Sequence, residues 1–162
     1  MNDTLTVLLG YDPPTCWVGR AIAWFTWGHR SHSKIAFIGQ TETRVFESRS
    51  DVGVIERDPD PESRDRLTDW HVVDLPRPVA ARDFARAQVG KGYDVPVWKF
   101  LRRPTHQSRM ASGRWYCSEL CYQTCIEGGL YMLRCPDAWK IAPSYLYASP
   151  LQSGPVIPPW RM

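Results

Sequence analysis

The first half of the chain is built from short apolar runs broken by polar turns, and helical spacing takes over in later segments. Residues 4 to 9, TLTVLL, predict a buried strand, and Gly10 to Pro14 the turn that stops it. In TCWVGRAIAWFTWG, residues 15 to 28, Cys16, Trp17, Ala21, Trp24, Phe25 and Trp27 recur at near-helical spacing. That pattern predicts a helix with an aromatic face, capped by Gly28. SKIAFIG and TRVFESR are two β-type runs separated by QTE after Gly39, the signature of a hairpin. VGVIERD and WHVVDLP add two strands across the polar loop PDPESRDRL, so the middle of the chain reads as an antiparallel sheet.

PVAARDFARAQVGKG begins with Pro, places Ala, Phe and Val at helical spacing and carries Gly90 near its end, which predicts a helix. YDVPVWKFL predicts a short helix opened by Asp94 and Pro96, followed by the basic loop RRPTHQSRMASGR. An amphipathic helix is then expected in GRWYCSELCYQTCIEGG, residues 113 to 129, and one helical turn in APSYLYASP. The fold class expected is α+β. The length of 162 residues suits one domain, taken as residues 1–150, with a Pro-rich tail over 151–162.

Composition narrows the function classes. Apolar residues make up 43% of the chain, with eight Trp and seven Tyr, which excludes intrinsic disorder and leaves aromatic surface available for binding. A net charge of +3 is too small to call for nucleic acid. No run approaches the ~20 apolar residues of a membrane span, and MNDTLTVLLGYDPP lacks the basic start and long apolar stretch of a signal peptide. The expectation is a product that is cytoplasmic as synthesised, of a size that suits a phage or effector protein. Five cysteines is an odd number, and free thiols in a reducing compartment are the default.

Cys117, Cys121 and Cys125 stand four residues apart. Cys117 opens its helix, where unpaired N–H groups and the positive end of the dipole favour a thiolate. Cys121 and Cys125 lie one and two turns on and read as small core residues. Zinc is disfavoured, because no second ligand pair follows at a suitable spacing and Cys135 is the only further thiol nearby. A nucleophilic thiolate needs an imidazole oriented by a third polar group. Of four histidines, His106 falls in the basic loop and His71 inside a strand, while His29 and His32 lie at the mouth of the hairpin. His32 enters the strand directly, on a rigid element that can aim it. The hairpin register puts the residue facing His32 near position 48, which makes Glu47 the candidate orienter, with Asp51 and Glu42 as rivals and strand parity undecided.

The segments SHSKIAFIG, VFESRSDVGV, GKGYD, WYCSELCYQ and IAPSYLYAS occur in the order found in circularly permuted papain-like amidases of the YaeF/YiiX type, relatives of the NlpC peptidoglycan endopeptidases, and the chain resembles that family over residues 4 to 150. The resemblance implies a papain-like fold in which the His-bearing strand precedes the Cys-bearing helix, with Cys117 as nucleophile, His32 as base and Glu47 as orienter. It places Tyr93, Asp94 and Tyr116 at substrate-binding positions. Ser33 and Lys34 depart from the small apolar residue common after the histidine, and this bears on substrate preference.

The activity implied is acyl transfer by a thiolate without metal or organic cofactor, on an amide- or ester-containing substrate such as a cell-wall peptide. An acyl lipid is the alternative substrate, which the aromatic helix and the basic loop between Leu101 and Arg114 would serve. Base rates favour reading those two segments as a core-facing helix and a solvated loop. A third reading is a non-catalytic binding or structural protein on the same scaffold; an unreactive, buried Cys117 would support it.

Overall fold

Strand β1 (Thr6–Asp12) runs through the position where a turn was expected. Gly10 does not stop it: a Cβ there would stand 2.8 Å from both Trp70 and Thr68 and 2.9 Å from the Lys34 stem, so the missing side chain makes room for theirs. The computed structural model in which this is seen describes residues 5–25, 28–94, 113–134 and 141–161. The hairpin follows as expected in β2 (His32–Ile38) and β3 (Thr43–Arg49), closed by the Gly39 N–H donating to the Glu42 carbonyl at 2.8 Å. The next two strands are β4 (Gly53–Arg57) and β5 (Asp69–Val73).

The tail after residue 150 is part of the same sheet. Its strand β8 (Pro155–Val156) pairs with β5, giving a six-stranded antiparallel sheet of order β4-β3-β2-β1-β5-β8. Two further short strands, β6 (Gly92–Tyr93) and β7 (Arg114–Trp115), pair in parallel and are tied to β4 where the Val54 N–H donates to the Lys91 carbonyl.

Four helices accompany the sheet among the described residues: α1 (Trp17–Phe25), α2 (Pro78–Ala87), α3 (Cys117–Glu127) and α4 (Pro143–Tyr147). Proline opens α2 and α4, where its missing N–H has no helical partner to lose. The expected amphipathic helix α3 is instead buried over Cys117–Tyr122 and again at Thr124 and Cys125, because it lies against β2 and β3 on one side and α2 on another. Its C-terminus is a Schellman cap: Gly129, at φ 88°, donates to Ile126 and Leu130 donates to Cys125. The principal core, including Val7, Leu9, Tyr11, Ile35, Phe37 and Phe46, fills the space between one sheet face and α2 and α3.

The opposite sheet face carries a smaller cluster of Leu8, Ala36, Val45 and Trp70, over which Trp160 of the tail packs edge-on at 5.2 Å. The expectation of a core-facing aromatic helix does not hold for α1: Trp17 and Trp24 are 81% and 74% exposed. At the end of α1 the Gly28 N–H donates to the Ala23 carbonyl at 2.9 Å. The predicted helix after Asp94, the basic stretch 101–112 with His106, Trp27 and Cys135 lie outside the described residues. Among the described residues no helix is long and apolar enough to cross a membrane.

Candidate active site

The start of α3 is pinned before it carries any chemistry. The Trp115 carbonyl accepts from the Ser48 hydroxyl at 2.7 Å and from the Asp94 N–H at 3.2 Å, fixing β7 against β3. Glu119 reaches back to accept from the Tyr116 N–H at 3.3 Å, while the buried Ser118 hydroxyl donates to the Ile141 carbonyl. Cys117 is therefore held as the first residue of an eleven-residue helix.

His32 is the first residue of β2, and its imidazole lies beside the Cys117 thiol, close enough for each to act on the other's charge. Its Nε2 lies 2.9 Å from Glu47 Oε2, which leaves Nδ1 as the ring nitrogen for the thiol. Ladder parity explains the second contact. Lys34 pairs with Glu47, so His32, two residues before Lys34, shares a sheet face with the carboxylate. The intervening Ser33 belongs to the other face and lies beside Cys117 and Cys121. The rival carboxylates are engaged elsewhere, Asp51 with Arg49 at 2.6 Å and Glu42 with Arg44 at 3.3 Å, both at the surface.

The electrostatics separate the three thiols. Burial would push Cys117 up, but the charge and hydrogen bond of His32, together with the Ser33 N–H and hydroxyl dipoles, outweigh it and hold this thiol below its ordinary range. The Ser33 hydroxyl is fully buried and makes no well-formed hydrogen bond of its own, so its effect on the sulfur is that of a nearby dipole. Burial dominates at the other two, raising Cys121 well above its ordinary value and Cys125 to about 12. The same balance acts on the imidazole. Burial opposes its charge, yet Cys117, Glu47 and Asp12 push His32 up to about 10. Glu47, despite its own burial, is held far below the usual carboxylate range by His32, Lys34 and Arg57. Both shifts run in the direction that favours a thiolate–imidazolium pair.

Two phenols complete the surroundings. Tyr93 and Tyr116 meet edge-on at 5.8 Å, both beside the Cys117 thiol. Burial first, and the neighbouring thiolate second, raise both phenols far above their ordinary value, so both keep their protons as donors. Asp94 follows Tyr93, with its main chain on Trp115. His29 is exposed. His71 is buried between Tyr11 and Tyr147, its Nδ1 2.6 Å from the Ser153 carbonyl.

Sequence reasoning missed a set of buried charges behind Glu47. Arg57 donates from Nε to Glu47 Oε1 at 2.7 Å, and from Nη1 and Nη2 to Asp65 at 2.9 and 2.7 Å. Lys34, whose side chain is 1% exposed, contacts Asp12 at 2.9 Å, Asp65 at 3.0 Å and Thr68 at 3.1 Å. Its ammonium is thus fully used inside the protein. The only signal in the chain was a lysine in mid-strand where an apolar residue was expected, two positions after His32. Comparison with protein-family models and with curated proteins gives no match to this chain.

Proposed function

We propose that the protein is a cysteine hydrolase acting by acyl transfer through Cys117, His32 and Glu47, on a permuted papain-like scaffold of the YaeF/YiiX type. The observation that carries this reading is the constellation at the start of α3: Cys117 opens the helix beside His32, whose Nε2 lies 2.9 Å from Glu47 Oε2, while Cys121 and Cys125 are buried one and two turns on. The order of elements, His-bearing strand before Cys-bearing helix, agrees with the permutation.

In the mechanism, the Cys117 sulfur attacks the carbonyl carbon of an amide or ester, and the electron pair of the C=O moves to oxygen. The Cys117 N–H at the start of α3 donates to that oxyanion. Collapse expels the amine or alcohol, which takes its proton from His32, and a thioester to Cys117 remains. Neutral His32 then takes a proton from water as it attacks the thioester, and the carboxylic acid and the thiolate are regenerated. Glu47 holds the ring and stabilises its charged form throughout. Tyr93, Asp94 and Tyr116 border the acyl position.

The substrate favoured by the family likeness is a cell-wall peptide amide. The exposed Trp17 and Trp24 of α1 favour an acyl lipid as the second choice. The 1% exposure of Cys117 favours a different class, a non-catalytic protein that keeps the scaffold with its thiol sealed. Iodoacetamide labelling followed residue by residue across pH 5 to 9 decides between these classes. The hydrolase reading expects Cys117, alone among the three helix cysteines, to label fast, at a pH well below the free-thiol value of about 8.5 at which the exposed Cys16 reacts, and expects that advantage to be lost in His32→Ala. Equal, slow labelling of all three helix cysteines, unaffected by His32, would leave only the non-catalytic reading.

A further inference from the structure

Glu47 presents its two oxygens to two different partners, Oε2 to the His32 ring at 2.9 Å and Oε1 to Arg57 Nε at 2.7 Å. Arg57 is braced in turn. Its two terminal nitrogens grip both oxygens of Asp65, and Nη1 also donates to the Asp58 carbonyl at 2.9 Å. Asp65 is fully buried and accepts as well from Lys34 and from the Asp60 N–H at 2.8 Å. Lys34 continues to Asp12, the residue opposite His32 in the β1–β2 ladder. The side chains therefore form a chain of alternating charge from His32 through Glu47, Arg57, Asp65 and Lys34 to Asp12, whose backbone position faces His32 in the ladder.

Resting on the cysteine-hydrolase reading, we infer that Arg57, braced by Asp65, is a positioning residue that locks the Glu47 carboxylate so that one oxygen stays on the His32 ring. A glutamate has three rotatable bonds, and a lone ring nitrogen cannot fix them all. A planar guanidinium held at its far side by a second carboxylate can, because its donors form a rigid fork. Behind His32, Lys34 and Arg57 stand against Asp12, Glu47 and Asp65, two cations against three carboxylates, so the network presents a net negative charge to the imidazole. The charged groups facing that imidazole are Cys117 from α3, Glu47 from β3 and Asp12 from β1.

A passive ion pair and a positioning clamp differ in the sign of one measurement. Deleting a nearby cation raises the titration midpoint of an imidazole if the cation acts only through its field. Deleting a clamp lowers the midpoint, because the carboxylate leaves the ring. The experiment is NMR titration of ring-labelled histidine in the full chain, with His32 assigned from its own substitution, alongside Cys117 alkylation by iodoacetamide. Arg57→Gln is expected to lower the His32 midpoint towards that of Glu47→Gln and to slow alkylation at pH 7 by about tenfold or more, the effect of roughly one pKa unit. Arg57→Lys is expected to fall between, and Glu47→Gln/Arg57→Gln to match Glu47→Gln alone. A raised midpoint, an unchanged midpoint with only a lower melting temperature, or additive effects in the double variant would overturn the proposal. If Arg57→Gln does not fold because Asp65 is left unpaired, Arg57→Gln/Asp65→Asn removes both charges and carries the same comparison. A Glu47→Gln variant with normal midpoint and normal alkylation would instead sink the Cys–His–Glu reading itself, whatever Arg57 does.

Discussion

The imidazole of His32 sits between a thiolate and a carboxylate, and this placement sets how folding stability responds to pH. Its proton is bound more tightly in the folded chain, with a pKa of about 10 against an ordinary 6.5, so its contribution is complete below pH 6.5 and is lost as pH rises through 10. Cys117 is depressed from 9.0 and works in the opposite sense, contributing more as pH rises towards 9.0. The two changes oppose each other below pH 9, and the net loss appears above 9. On the acid side Glu47, depressed from 4.5, loses its contribution as pH falls below that value. The urea midpoints of wild type and His32→Gln should therefore differ more at pH 8 than at pH 10.5. A gap that widens there would contradict the ion-pair assignment. At this scale the sequence was most informative. A cysteine opening a helix, a histidine opening a strand and a glutamate within two residues of the facing register position are local facts. Lys34 was not legible in the same way, because a lysine in a strand reads as solvated unless its neighbours across the sheet are known.

At the scale of elements, β1 shows how a local signal yields to packing. Glycine is a strand breaker by propensity, and the prolines that follow invite a turn at position 10. The strand continues instead because Trp70 and the Lys34 stem occupy the space a side chain would need. Gly10→Ala should cost about 1–3 kcal/mol in urea denaturation, since both neighbours are buried and neither has room to retreat. Unchanged stability would mean the sheet relaxes more easily than its packing indicates. Helix α3 carries a related lesson. Its polar positions predict an exposed side, but Ser118 and Thr124 hydrogen-bond to main-chain carbonyls, Glu119 to a main-chain N–H, and the helix is buried on nearly all sides.

For the whole molecule, the tail after residue 150 is a working part of the sheet. Pro155 and Val156 cover the outer edge of β5, Trp160 packs on Trp70, and the Arg161 guanidinium donates to the Asp65 carbonyl. Truncation after Pro150 should lower the urea midpoint more than Trp160→Ala does, because it also uncovers a strand edge and frees the loop that carries Asp65. Equal midpoints for the two would assign the tail's contribution to Trp160 alone. The sequence by itself determined the α+β class, the hairpin that brings His32 and Glu47 near each other in register, and the helix start that favours a thiolate at Cys117, because each depends on residues close along the chain. Only the tertiary structure decided which face of β2 meets α3, that His32 and Glu47 share a face, that Arg57 and Asp65 stand behind Glu47, and that Trp17 and Trp24 of α1 are exposed. Those outcomes depend on strand order, on ladder parity and on a loop folding across the sheet, and they are contacts between segments whose separation along the chain carries no local signal.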